Sequence, residues 1–200
     1  MKLRPPKRDR ELIQIVDAAM LEAERRSGSW LACRIGCYEC CIGPFPITAL
    51  DALRLREGLG ELEKRDAERA ERVRARARAS VARLRREFPA DPVGLALATD
   101  QAAEDELCPA LDPISGACEL YAARPITCRM FGPAVRLVSN SDAPVIGVCE
   151  LCYRGATDEQ IADCEVDVDT HLEAELLEKL EKCGGGSGET LVAFALADAS

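Results

Sequence analysis

Cys33-Arg34-Ile35-Gly36-Cys37-Tyr38-Glu39-Cys40-Cys41 places four thiols within nine residues, and the surrounding chain takes its sense from them. Soft, ionisable ligands at that density point to a shared zinc ion or iron–sulfur centre, because unligated core thiols are common singly but not in such a run. Cys33 and Cys37 are four positions apart and Cys37 and Cys40 three apart, so a helical or turn-like loop would aim those sulfurs at one centre. Adjacent Cys40 and Cys41 are expected to diverge, one serving this centre while the other serves a second centre or stays free. A fourth ligand is then expected from Cys108, Cys118 or Cys128, which would tie the two halves of the chain together.

Composition bounds the rest. The 200 residues are 48% apolar and include 11 cysteines, which is enough for an ordinary domain with its own core. An odd cysteine count leaves one thiol over in any all-disulfide scheme. The opening MKLRPPKRDRELIQ has neither an apolar signal region nor a small-residue cleavage site, and no apolar run approaches the ~20 residues that span a bilayer. The expected protein is soluble and cytoplasmic, where thiols stay reduced and clustered cysteines favour metal over disulfides. The net charge of −9 is unevenly spread: residues 1–90 carry 20 Lys or Arg against 14 Asp or Glu, and residues 91–200 carry 6 against 21. The acidic half would oppose long-range attraction to nucleic acid, so the expected partner is a metal ion, with a protein partner conceivable and neither nucleic acid nor membrane.

Apolar periodicity predicts a mainly α fold: a helical domain with an irregular cysteine-rich metal-binding segment and at most a small β-hairpin. Leu12, Ile13, Ile15, Val16, Ala19, Met20 and Ala23 form a helical stripe over Asp9 to Arg26, stopped by Ser27-Gly28. Thr48 with Asp51 three positions on reads as a capping box. Gly58 and Gly60 are candidate breaks, and helical spacing resumes from Glu61 to Phe88 before Pro89. That helix carries the one dense basic run, Arg72, Arg74, Arg76, Arg78, Arg83, Arg85 and Arg86. It reads as a solvated face partly neutralised by Glu61, Glu63, Asp66, Glu68 and Glu71, in preference to a nucleic-acid or acidic-protein contact. A hairpin is expected from Val135 to Val148 around Asn140-Ser141-Asp142, and a further helix from about Asp169 to Lys182. Residues 1–183 then form one domain with its metal-binding core at about 30–152, and residues 184–200 a flexible linker with a short apolar tail that either docks or frays.

The second half adds Cys108, Cys118 and Cys128 at even spacing, then Cys149-Glu-Leu-Cys152, a C-x2-C pair suited to zinc, a cluster or redox pairing. Cys164 and Cys183 read as ordinary thiols. Arg124 and Arg129 flank Cys128, where they either donate to thiolates and offset their charge or pair with acidic neighbours. His171, the one histidine, reads as an exposed residue at a helix start.

The motifs CRIGCYECC, CPAL, GAC, LYAARP and TCRMFG together resemble the CxxCxxCC, or YkgJ-type, cysteine-cluster family of zinc- or iron-chelating domains. The resemblance runs from about Trp30 to Pro133. It maps the family's first cluster onto Cys33, Cys37, Cys40 and Cys41, with three residues rather than two inside the first pair. It maps the downstream cysteines onto Cys108, Cys118 and Cys128, and an eighth onto Cys149 or Cys152. Tyr121, Arg124, Pro125 and Arg129 match the segment around Cys128. The resemblance implies metal binding without choosing zinc or an iron–sulfur cluster. The C-x3-C-x2-C spacing is also similar to that of radical SAM enzymes, but Glu39 precedes the third cysteine where an aromatic residue is usual, and no succession of β/α units follows. A similar cluster occurs in some flagellin lysine methylases. Two alternatives therefore stand beside a metal-binding protein: a modifying enzyme using SAM-linked methyl or radical chemistry, and a metal-ordered interaction adaptor. No residue is assigned a catalytic role.

Overall fold

The computed structural model describes residues 4–98, 106–138, 145–186 and 188–197. In chain order the elements are α1 (Asp9–Ser27), β1 (Ile47–Thr48), α2 (Ala49–Arg65), α3 (Ala67–Glu87), α4 (Gly94–Ala98), α5 (Ile126–Met130), β2 (Val135–Val138), β3 (Val145–Gly147), α6 (Asp158–Cys164), β4 (Val166–Asp169), α7 (His171–Lys182), β5 (Glu189–Thr190) and α8 (Val192–Ala197). The fold is mainly α, as its periodicity predicts, with two small sheets. The chain divides into two compact units, one of Met1–Pro5, Ile35–Pro125 and Gly185–Ser200, the other of Pro6–Arg34 and Ile126–Gly184.

In the first unit, α2 and α3 pack together and α8 closes on both. Leu55, Leu59 and Leu62 meet Ala70, Val73 and Ala77, and α8 adds Val192, Ala195 and Leu196. Alanines at 70 and 77 let neighbouring side chains come close to the α3 backbone. The apolar C-terminal stretch thus docks: β5 pairs antiparallel with β1, and the Arg56 guanidinium donates to the Ala195 carbonyl at 3.0 Å. The capping box at the start of α2 is formed, Thr48 accepting from the Asp51 backbone and Asp51 from the Thr48 backbone.

One boundary differs from the expected place. Helix α2 runs straight through Gly58 and Gly60 and ends at Arg65; the non-helical backbone of Asp66 breaks the chain, and its carboxylate caps α3 by accepting from Arg69 N–H at 2.9 Å. Gly58 is there for space: a Cβ on it would stand 2.4 Å from the Ala123 Cβ, so its lack of a side chain admits the Tyr121–Ala123 turn against α2.

The second unit is built on α1, which buries Leu12, Val16, Met20 and Ala23 against β4 and helices α5, α6 and α7. Helix α7 contributes Leu172, Leu176 and Leu180 at four-residue intervals. Strands β2 and β3 form the expected hairpin, whose Asn140-Ser141-Asp142 turn lies outside the described residues. Strand β4 then joins it parallel to β2, in the register Val135↔Val166, after the crossover through α6. No helix among the described residues is long and apolar enough to cross a membrane.

Candidate metal centre

The division between units falls inside the cysteine-rich stretch, between Arg34 and Ile35. Cys33 therefore belongs with Cys128, Cys149, Cys152, Cys164 and Cys183, whereas Cys37, Cys40, Cys41, Cys108 and Cys118 share the other unit. The segment from Leu31 to Tyr38 is not helical; it turns at Ile35-Gly36, with Gly36 at φ +88°. Of the helical or turn-like loop that the cysteine spacing allows, the backbone takes the turn.

Glu39–Cys41 forms a single 3-10 turn, on which the two adjacent thiols perturb one another's ionisation. The neighbouring sulfur holds the Cys40 thiol below its ordinary range and the Cys41 thiol above it. The downstream cysteines reach the same place through backbone pairing. Ile42 bridges Leu107, Cys108 N–H donates to the Cys41 carbonyl at 2.7 Å, and Gly43 N–H donates to the Glu106 carbonyl at 2.8 Å. A second bridge, Leu111 to Cys118, closes the tight loop over Asp112–Gly116 and returns the chain beside Cys108. At that loop Gly116 faces Gly36, where a Cβ would stand 3.0 Å from the Gly36 carbonyl oxygen.

Four half-buried thiols are thereby gathered closely enough for their charges to interact. Burial pushes the Cys108 thiol up to about 12 and also raises Cys118, each further opposed by the neighbouring sulfurs. The Arg124 guanidinium works the other way, favouring the thiolate at Cys40 and Cys118. It is held by stacking on the Tyr121 ring, 3.6 Å from its centroid, and by donating to the Tyr121 carbonyl at 3.2 Å. One thiol eased toward the thiolate beside three held back from it is a donor set suited to a thiophilic cation, which would replace the remaining protons and neutralise the thiolates. Among the described residues, no three Cys, His, Asp or Glu side chains are drawn into a closed coordination shell.

The basic helix supports these loops in a way its composition did not reveal. Arg69, Arg76 and Arg83 recur every seven residues and so share one face of α3. Arg69 pairs with Glu119 at 2.7 Å, Arg76 pairs with Glu119 and donates to the Pro109 carbonyl at 2.9 Å, and Arg83 pairs with Glu106. Their acceptors sit beside the thiols: Glu119 follows Cys118, Pro109 follows Cys108, and Glu106 precedes it by two. Glu119 is 3% exposed at its side chain, so this carboxylate is buried against the helix. The other arginines behave as a neutralised surface, Arg72 pairing with Glu68, Arg74 with Glu63 and Arg78 with Glu71.

In the second unit Cys149 and Cys152 are buried with Ala134, Tyr153 and Cys164, Cys128 on α5 is half-buried, and Cys33 is exposed. Cys164 donates to the Arg26 carbonyl at 3.5 Å, and Cys183 is exposed just past α7. Arg129 pairs with Asp17 at 2.7 Å, which fastens α5 to α1, so the two arginines that flank Cys128 in sequence do different things. His171 opens α7 at the surface, with Nδ1 2.8 Å from the Asp169 carboxylate.

A family model described as "CxxCxxCC: Putative zinc- or iron-chelating domain" matches residues 32–152. The matched span takes in nine of the eleven cysteines and leaves out Cys164 and Cys183, the two with the plainest structural surroundings. No curated protein and no solved structure matches the chain.

Proposed function

The chain belongs to the CxxCxxCC family of zinc- or iron-chelating domains, and we propose that it holds a thiolate metal centre through Cys40, Cys41, Cys108 and Cys118. The observation that supports this reading is the backbone pairing that sets Cys108 against Cys41 and folds Cys118 back on Leu111, all within one unit. Two come from one turn and two from the ends of a hydrogen-bonded loop, so a bound ion would cross-link segments about seventy residues apart in sequence. Cys37 shares that unit and is the reserve ligand. When bound, zinc would supply a tetrahedral structural cross-link and an iron–sulfur cluster an electron-transfer centre. Arg124 would balance part of the thiolate charge, and Arg69 and Arg76 would hold the Cys108–Cys118 loop in place through Glu119 and Pro109. Such a centre needs reduced thiols, which fits a cytoplasmic protein.

Elemental analysis and visible absorption of untagged protein purified without oxygen test the proposal. Stoichiometric zinc in a colourless sample, or iron with acid-labile sulfide and a broad brown absorption, is the expected outcome, with a marked loss of that metal in Cys118→Ser. Metal-free folded protein whose stability is unchanged by Cys40→Ser and Cys118→Ser would overturn it.

A further inference from the structure

We infer that the second unit carries a thiolate metal site of its own, formed by Cys33, Cys149, Cys152 and Cys128. It rests on the preceding proposal only for the kind of ion, a thiophilic metal, and shares none of its ligands. Two contacts bring Cys33 to the C-x2-C pair. The Ala32 N–H donates to the Cys152 sulfur at 3.4 Å, which docks the residue before Cys33 on that thiol. Gly132 is the other: a Cβ there would stand 2.6 Å from the Cys33 sulfur, while the Gly132 carbonyl accepts from Cys149 N–H at 3.4 Å. One glycine at φ +121° thus touches the Cys33 thiol on one side and the Cys149 backbone on the other, an approach that no other residue would permit.

The pair itself is bent for ligation. Cys152 N–H donates to the Cys149 carbonyl at 2.9 Å, a tight turn at the C-x2-C spacing that zinc sites use. Tyr153 then reverses the chain with φ +55°, the one non-glycine residue of the described chain at positive φ. It is held there by three partners: its N–H donates to the Trp30 carbonyl at 2.9 Å, its hydroxyl accepts from Ala134 N–H at 2.8 Å, and it shares a hydrogen bond with buried Ser27. The segments 30–33 and 149–153 are therefore fixed side by side. Cys128 enters from α5, four residues before Gly132, on a helix anchored by the Arg129–Asp17 pair. Cys164 packs in the same apolar cluster, but its thiol proton is committed to the Arg26 carbonyl.

Titration of the reduced, metal-free full chain with cobalt(II), followed by thiolate-to-cobalt absorption, counts the sites. Two equivalents are expected, with one lost in Cys149→Ser/Cys152→Ser and the other lost in Cys40→Ser/Cys118→Ser. Retention of all bound cobalt by Cys149→Ser/Cys152→Ser would overturn this inference and leave the first centre standing. Retention of all of it by Cys40→Ser/Cys118→Ser would overturn the first centre alone. A second measurement needs no variant: zinc loading of the native chain should remove exposed Cys33 from alkylation while exposed Cys183 keeps its reactivity. Equal alkylation of Cys33 and Cys183 in the zinc-loaded protein would also sink the second site.

Discussion

The two units bring thiols together by opposite means. In the first, charge does the positioning: an arginine stripe on α3 grips the acidic and carbonyl groups next to Cys108 and Cys118, and Arg124 acts on the sulfurs directly. In the second, apolar burial and backbone hydrogen bonds do it, with Tyr153 and Gly132 as the joints around Cys149 and Cys152. The difference teaches that clustered cysteines require an independent scaffold. Four thiols cannot fold a loop by themselves, since as neutral groups they attract each other weakly and as thiolates they repel.

Removing metal should give the largest effect and bear on both units at once. Structural zinc contributes roughly 10–16 kcal/mol of apparent folding free energy in small peptides, and a domain with its own helical core retains part of its order without it. Stripping metal with a strong chelator should therefore abolish amide-exchange protection over residues 106–119 and 149–153 while α2, α3 and α8 stay protected. Uniform loss of protection along the chain would show that the helical cores depend on the metal as fully as the loops do.

Glu119→Gln should come next, and it separates the two scaffolds. It removes a buried carboxylate shared by Arg69 and Arg76, and because those arginines are partly exposed the cost should be about 2–3 kcal/mol rather than the full penalty for breaking a buried pair. Urea unfolding should register that loss, with cobalt binding weakened at the Cys40 set and unchanged at the Cys149 set. Equal weakening at both would erase the contrast between the units.

Gly132→Ala is the counterpart in the second unit. A methyl group would meet the Cys33 sulfur in a backbone conformation that L-residues rarely adopt, at a cost of about 1–3 kcal/mol. The expected result is a lower urea midpoint and loss of one cobalt equivalent, with the first unit unaffected.

Arg72→Ala should be nearly silent. Its pairing with Glu68 is an exposed i,i+4 contact, worth about 0.3–0.5 kcal/mol. Arg76→Ala on the same helix should cost several times more, and thermal melts of the two variants side by side would show whether the arginine run holds two kinds of residue.

Much of the fold was legible beforehand, and the reasons are local. The stripe Leu12, Val16, Met20 and Ala23 marks α1 because a helix repeats its face every three to four residues, and the Thr48–Asp51 box marks the start of α2 because both partners lie within one turn. The glycines misled, since Gly58 answers to a packing neighbour, Ala123, from far along the chain. The arginines misled in a similar way. Their seven-residue interval is visible in the sequence, but the partners that give it meaning, Glu106, Pro109 and Glu119, are set by where the loop crosses α3.

The sequence by itself determined the mainly helical character, the density of thiols and hence the preference for a soft metal, because periodicity and donor chemistry are properties of residues and their spacing. Tertiary structure alone decided which thiols keep company. Cys33 and Cys37 are neighbours in sequence yet part between units, while Cys41 and Cys108 meet through a backbone hydrogen bond. Spacing sets only how far apart two sulfurs can be; which of them approach is settled by backbone pairing, ion pairs and burial between segments remote in sequence.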